Sequence, residues 1–174
     1  MIPLKVVYLG GKQAGLIGLL TVVSFGCEVK AVVPRDNIVG DMAVKLKYPI
    51  YNSVKQGDVK SILYGVDLLI SVHSKEIVPI EVLNITGLGG INVHPCLSKY
   101  KGSNPISRFL AGDTSRASVG VHYMVEELDC GEVIKEIFVY IDKSKASTVV
   151  EVYNVLYPIY SMVLFEALEI LEKK

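Results

Sequence analysis

Short apolar segments alternate with segments of helical length through the first 90 residues, and this alternation constrains the fold more than any other feature. Strands are predicted at residues 4–9, 28–33, 67–72 and 90–93, with a further short strand at 48–51. Helices are predicted between them at residues 13–25, 54–63 and 76–83. Because strands that alternate with helices form right-handed βαβ units, this half of the chain favours a parallel sheet.

The pattern changes after His94. A turn-rich loop at 96–104 leads into a short helix at 106–110. Two strand patterns, 118–125 and 132–141, are separated by only six residues and predict a hairpin. The tail, 148–174, predicts a long helix that begins with a capping box of Thr148 and Glu151 and that Pro158 should kink or split.

We therefore predict one α/β domain over residues 1–174. It has an open, mostly parallel Rossmann-like sheet flanked by helices, a late strand pair and a long C-terminal helix. A chain of 174 residues suits a single domain. Ligands of such sheets bind at the carboxyl ends of the strands.

Charge and cysteine content narrow the class of protein. The chain has 18 basic and 18 acidic residues, a balance that argues against a nucleic-acid partner. Three scattered cysteines without CxxC spacing are typical of reduced thiols in the cytoplasm. The apolar uncharged runs at 13–27 and 152–165 are shorter than the roughly 20 residues of a membrane span. Residues 1–11 lack the basic region of a signal peptide, so we expect a cytoplasmic protein without a membrane partner.

Two polar side chains lie at the end of the fourth predicted strand. Asn92 and His94 are two residues apart, so they face the same side of the strand. Asn offers an amide donor, and His titrates near neutral pH. Asp129, in the hairpin loop, could fold back to orient His94, although a simple turn role for it stays open. A donor, a base and a carboxylate suit attack on a carbonyl carbon.

The glycine-rich loop GGKQAG, residues 10–15, joins the first strand to the first helix. Helix N-termini bind anions, and Lys12 could reach a phosphate. The loop satisfies neither GxGxxG nor GxxxxGK[ST]. A tight strand-to-helix turn without a ligand is the alternative explanation.

Four segments carry a resemblance to a known family: DLLISVHSKEIVP at 67–79, INVHP at 91–95, YKGSNPI at 100–106 and LDCGEVI at 128–134. Here the chain resembles the catalytic domain of 10-formyltetrahydrofolate-dependent formyltransferases, which act on glycinamide ribonucleotide, methionyl-tRNA or sugars. The resemblance implies that Asn92, His94 and Asp129 are catalytic and that 10-formyltetrahydrofolate is the formyl donor. The residues that would border the folate are Ile77, Val78, Glu127, Leu128 and Gly131. The candidates for the acceptor side are Lys12, Lys101, Ser103, Asn104 and His122. Of these, His122 would lie near the substrate and support the residues that contact it.

The chain departs from the family pattern at two loops. The loop after Pro95 reads Cys96-Leu97-Ser98, where the family commonly has Ser-Leu-Leu-Pro. LGGKQAG does not match the Ser-Gly-x-Gly-Ser-Asn phosphate loop of the ribonucleotide branch. The chain also ends before the C-terminal domain of the methionyl-tRNA branch. By elimination we predict a small-molecule amine acceptor, a nucleotide-linked amino sugar; a phosphoribosylglycinamide or methionyl-tRNA formyltransferase-like enzyme is the alternative.

Two other classes of protein remain as hypotheses. Cys96 and Cys130 adjoin His94 and Asp129, as in a thiol- or metal-dependent hydrolase, but the spacing fits no zinc signature and we expect no metal. A folate-binding regulator without activity is the other. We expect the tail helix to cover the core or to form a homodimer face.

Overall fold

The computed structural model describes residues 3–173, apart from the side chains of Asp58 and Lys60. Within these residues six strands and six helices follow one another along the chain. The elements are β1 (Lys5–Gly10), α1 (Lys12–Phe25), β2 (Glu28–Pro34), α2 (Asn37–Lys45), α3 (Gly57–Leu63), β3 (Leu68–Val72), α4 (Ile80–Leu83), β4 (Gly90–Pro95), α5 (Pro105–Ala111), β5 (Arg116–Tyr123), β6 (Val133–Tyr140) and α6 (Val149–Leu171). The strand order in the sheet is β2-β1-β3-β4-β5-β6, which confirms the predicted α/β class.

The chain divides into two compact units, residues 1–92 and 93–174. In the first unit β1 pairs in parallel with both β2 and β3. The interior residues of β1 are fully buried. A parallel strand covered on both faces has an unbroken apolar sequence for this reason. α1 begins directly after β1 and ends at Gly26, whose φ of 96° is the left-handed conformation of a helix C-cap.

In the second unit β5 and β6 form the predicted antiparallel hairpin, and α6 packs on both strands. The predicted capping box at Thr148 and Glu151 is present. The predicted split at Pro158 does not occur, because α6 is continuous from Val149 to Leu171. Leu156 and Tyr160, on either side of Pro158, are both buried, so packing holds the two helical segments together despite the lost backbone bond.

Three local predictions differ from the structure in the first unit. α2 was not predicted; the Asp36 carboxylate caps it by accepting from the Val39 N–H. The strand predicted at 48–51 is a single bridge between Val32 and Ile50. α4 begins only after Pro79, which occupies its N-cap, since proline is tolerated at the start of a helix and not inside it.

By length and composition alone, α6 could cross a membrane. One such helix is weak evidence, because a helix that covers a core passes the same test. One face of α6 is buried, as predicted for core cover. The expected absence of a membrane partner and the cytoplasmic location stay predictions.

Candidate active site

The end of β4 carries Asn92, which is half-buried, and His94, which is buried at 9% exposure. They are two residues apart in one strand and so share a face. The chain turns away directly after Pro95, where Cys96 has a φ of 54°. The Cys96 N–H donates to the Ser118 carbonyl at 2.7 Å and holds this turn against β5.

Asp129, Gly102 and His94 form a closed ring of contacts. His94 Nε2 lies 3.0 Å from the Gly102 carbonyl oxygen and 3.2 Å from Asp129 Oδ2. The Gly102 N–H donates to the same Oδ2 at 2.8 Å. Gly102 has a φ of 82°, a conformation that glycine adopts without strain. The backbone of Gly102 therefore accepts from the imidazole through its carbonyl group and donates to the carboxylate through its N–H.

Two backbone features bring Asp129 back towards β4. Asp129 itself has a φ of 55°, in the left-handed region that Asp tolerates better than most residues. Gly131, two residues on, packs against the chain at Tyr123, where an added Cβ would overlap the carbonyl group. The Asp-x-Gly spacing therefore has a packing reason of its own.

These contacts determine where the proton of neutral His94 lies. The Gly102 carbonyl and the ionised Asp129 carboxylate can only accept hydrogen bonds. Nε2, which faces both, therefore carries the hydrogen, and Nδ1 keeps the lone pair. Among the residues that the structure describes, His94 Nδ1 is the buried side-chain nitrogen without a hydrogen-bond partner.

The environment moves the pKa values of His94 and Asp129 below their ordinary values. Burial lowers the pKa of His94, and the Asp129 charge and the Gly102 carbonyl only partly oppose this. Burial acts to raise the pKa of Asp129, but a hydrogen bond from His122, the charge of His94 and the Gly102 N–H together lower it to about 2. At neutral pH the pair is therefore an ionised carboxylate beside a neutral imidazole.

His122 contacts the other oxygen of Asp129. Its Nε2 lies 3.4 Å from Oδ1, and its Nδ1 lies 2.8 Å from the Tyr123 carbonyl oxygen. The residue is only 2% exposed. The family resemblance suggested His122 as a candidate, whereas its direct contact with Asp129 required the folded hairpin.

The remaining candidates of the second unit lie on two exposed loops. Lys101, Ser103 and Asn104 are exposed, and Asn104 occupies the N-cap of α5 without a capping side-chain bond. Arg108 donates to the carbonyl groups of Tyr100 and Lys101 and so ties this loop to α5. In the hairpin loop, Glu127 and Leu128 are exposed. Their assigned roles stay predictions.

The first unit holds three further candidates. Ile77 is 63% exposed, whereas Val78 is 7% exposed and its side chain is part of the core. Lys12 is exposed, but its backbone N–H donates to Asp36 Oδ2 at 2.6 Å. The Asp36 carboxylate thus already contacts the N-terminus of α1, where a bound phosphate was one of the two alternatives. An Asp directly before an apolar segment is a typical helix N-cap signal, and the sequence-based prediction did not include it for Asp36 and α2.

The cysteines and metal ligands give little support to hydrolase chemistry. Burial raises the pKa of the Cys96 thiol. Partial desolvation and a hydrogen bond to Glu127 raise the pKa of the Cys130 thiol. A raised pKa disfavours the nucleophilic thiolate. In the described part of the chain, no three His, Cys, Asp or Glu side chains are grouped so as to hold a metal ion.

Comparison with known proteins yields one family and several relatives. A family model described as formyl transferase matches residues 37–168. The chain is similar to a methionyl-tRNA formyltransferase of Clostridioides difficile (strain 630), with 28% identity over 98% of this chain and 60% of that protein. This chain therefore spans less than two thirds of the length of that relative.

Solved structures show the same fold. A phosphoribosylglycinamide formyltransferase from Anaplasma phagocytophilum superimposes with a TM-score of 0.83 and 19% identity, covering 98% of this chain and 88% of that chain. A formyltetrahydrofolate deformylase from Pseudomonas putida KT2440 gives a TM-score of 0.74 and 21% identity, covering 95% of this chain and 64% of that chain. At these identities the likeness establishes the fold alone.

Proposed function

Because this chain belongs to the formyl transferase family, we propose that it moves a formyl group from 10-formyltetrahydrofolate to the amine of an acceptor. The observation that carries the proposal is the ring of His94, Gly102 and Asp129 at the end of β4, which leaves one buried imidazole nitrogen unpartnered. A buried polar atom without a partner calls for an explanation. In this proposal the partner arrives with the substrates.

The reaction forms a C–N bond to the acceptor and breaks the C–N bond to the folate. The acceptor amine attacks the formyl carbon, and negative charge develops on the formyl oxygen. Asn92 donates its amide N–H to that oxygen, an interaction typically worth about 10²–10³ in rate. The products are the formylated acceptor and tetrahydrofolate.

His94 moves the proton that balances this exchange. Its Nδ1 lone pair accepts a proton from the attacking amine and returns it to the departing folate nitrogen. Asp129 stabilises the imidazolium that forms in between, while Gly102 holds the ring through Nε2. Proton transfer of this kind contributes about 10²–10⁴ in rate. Before the reaction His94 is neutral, and it becomes protonated only as charge develops.

For the acceptor we propose a nucleotide-linked amino sugar. The α1 N-terminus supports this choice, because the Asp36 carboxylate would repel a ribonucleotide phosphate placed there. Methionyl-tRNA is the second candidate acceptor, and the similarity to the Clostridioides difficile protein over 98% of this chain favours it. The balanced charge of 18 basic and 18 acidic residues disfavours it.

An acceptor screen tests both parts of the proposal. The purified protein is incubated with 10-formyltetrahydrofolate and, separately, with a nucleotide-linked amino sugar, glycinamide ribonucleotide, methionyl-tRNA or no acceptor. Release of tetrahydrofolate and the mass of the product are followed, with Asn92→Ala as the matched inactive variant. We expect acceptor-dependent release with the amino sugar.

Each other outcome of the screen points to a different function. Release without any acceptor would indicate hydrolysis, the activity named for the Pseudomonas putida protein. Release with methionyl-tRNA or glycinamide ribonucleotide alone would overturn the amino sugar and keep the transferase. Folate binding without release under any condition would favour a regulator.

A further inference from the structure

The loop of residues 96–102 begins and ends at the candidate site. It starts two residues after His94, and its last residue, Gly102, supplies the carbonyl oxygen that lies 3.0 Å from His94 Nε2. The Gly102 N–H donates to Asp129 Oδ2 at 2.8 Å. A shift of the 96–102 loop would therefore move the imidazole and its backbone partner relative to each other.

The first half of the 96–102 loop lies directly on β5. Leu97 is fully buried and packs against Gly120, where an added Cβ would lie 2.6 Å from a side-chain carbon of Leu97. A glycine inside a strand often marks such a close approach. The Cys96 N–H donates to the Ser118 carbonyl at 2.7 Å, and Cys96 is only 2% exposed. The loop therefore shields its own cysteine from solvent.

Glu136 of β6 connects the 96–102 loop to the hairpin. Its Oε1 accepts from the Ser98 N–H at 3.1 Å and from the Ser118 hydroxyl at 2.6 Å. Its Oε2 accepts from the Ser98 hydroxyl. One carboxylate thus joins the loop, β5 and β6, and hydrogen bonds to a carboxylate are stronger than those between neutral groups.

We propose that Glu136 is a positioning residue for formyl transfer: its carboxylate holds the 96–102 loop on the hairpin and so keeps Gly102 where it binds His94. It acts through Ser98 and Ser118 and does not contact the substrates. The attachment of the loop stands on the three hydrogen bonds, whereas its importance for the reaction rests on the proposed function.

Labelling of Cys96 with a thiol reagent tests the attachment of the loop without any activity. The parent protein carries Cys130→Ser, because the exposed Cys130 would react as well, and the buried Cys27 is the internal control. Peptide mass spectrometry measures the label on each thiol. In Glu136→Ala, Cys96 should react about tenfold faster or more, because the loss of one hydrogen bond to a charged group shifts a local opening equilibrium by about that factor. Cys27 should be unchanged.

Two matched variants separate the hydrogen bonds from other effects. Burial raises the pKa of the Cys96 thiol and the Glu136 charge adds to this, so loss of the charge alone would increase the reactive thiolate. Glu136→Gln loses the same charge, but its amide can still accept from the Ser98 N–H and donate to the Ser98 hydroxyl, so Cys96 should stay protected. Lys135→Ala breaks an ion pair with Glu166 on the opposite face of β6 and should change neither thiol.

Two labelling results would overturn the proposal. One is unchanged labelling of Cys96 in Glu136→Ala, and the other is equal labelling in the Ala and Gln variants. If Glu136→Ala fails to fold, Ser98→Ala replaces it, since Ser98 is exposed and its hydroxyl makes one of the three bonds. Labelling of Cys96 should then rise by a smaller factor, and no rise would contradict the attachment.

Kinetics test the positioning role. In Glu136→Ala, kcat should fall about 10- to 100-fold, as for a small misplacement of a catalytic group, and Glu136→Gln should recover most of the loss. Burial is the largest cause of the lowered pKa of His94, so a loosened loop should move the acid limb of kcat/KM to higher pH. The titratable groups that face His94, Asp129 and His122, are unchanged in both variants.

The two kinds of measurement distinguish the positioning role from the proposed function. Faster labelling of Cys96 with an unchanged kcat would make Glu136 a purely structural residue and overturn the positioning role. Wild-type protein that transfers no formyl group would overturn the proposed function, while labelling would still decide whether Glu136 holds the loop.

Discussion

Two strand ends of this protein hold polar groups, and they differ in how completely those groups satisfy one another. At the end of β1, where α1 begins, the Lys12 N–H donates to the Asp36 carboxylate, which also accepts from the Val39 N–H. Asp36 therefore caps α1 and α2 together. At the end of β4, the ring around His94 leaves Nδ1 buried without a partner. In the first arrangement a carboxylate of the protein already accepts the Lys12 N–H. In the second a buried polar atom has no partner, and a substrate that contacts it would explain this.

His94→Ala should have the largest effect, because it removes the group that carries the proton and that becomes the imidazolium beside Asp129. We expect kcat/KM to fall towards the upper end of about 10²–10⁴-fold. Steady-state rates with the accepted amine measure the loss, and circular dichroism checks that the variant is folded. A loss below tenfold in a folded variant would mean that β4 does not end in the reacting site.

Asn92→Ala should rank next. Loss of a single donor to the formyl oxygen costs about 2.7–4 kcal/mol of transition-state stabilisation. The effect should lie in kcat rather than KM, since the donor acts on charge that develops only during the reaction. Asn92→Asp is the matched variant of similar size, and it should be at least as impaired because a carboxylate would repel the oxyanion.

Asp129→Asn should change the pH dependence as well as the rate. The Asp129 charge raises the pKa of His94, so its loss lowers that pKa further. His94 acts as a base in its neutral form, and the acid limb of kcat/KM should therefore move to lower pH.

The His94/Asp129 double mutant checks that the two residues act as a unit. Its loss should be well below the product of the single losses. Additive losses, together with an unshifted profile in Asp129→Asn, would reduce Asp129 to a turn residue.

Asp36→Ala should affect stability and leave the catalytic rate nearly unchanged. It removes a helix cap, which costs about 0.5–2 kcal/mol of unfolding free energy. Urea denaturation measures the cost, and Asp41→Ala, at an exposed position of the same helix, is the matched control. A loss of activity as large as that in Asn92→Ala would show that the first loop belongs to the reacting site and would remove the contrast between the two strand ends.

Cys96→Ser and Cys130→Ser should have the smallest effects. Neither thiol supplies a nucleophile in the proposed reaction, so each variant should keep its activity within about tenfold. The buried Cys96 should lose more stability than the exposed Cys130. A loss of several orders of magnitude in either folded variant would restore the hydrolase hypothesis.

Much of the fold could be predicted because its signals are local. Apolar runs identified β1, β2 and β3, and a turn-length gap identified the hairpin of β5 and β6. α2 escaped prediction because Gly40 and two Asx residues weaken its propensity, whereas the Asp36 cap and the burial of Val39 and Ala43 stabilise it in the folded protein.

The sequence by itself determined that Asn92 and His94 share a face, since side chains alternate along any strand. It also determined the capping box at Thr148, which lies within a single helical turn. The tertiary structure alone decided which nitrogen of His94 carries the proton, that His122 faces Asp129, and that Asp36 occupies the start of α1. Each of these depends on residues that are far apart in the chain but within hydrogen-bond distance in the folded protein. Hydrogen-bond direction and charge depend on those distances, which a local sequence pattern does not contain.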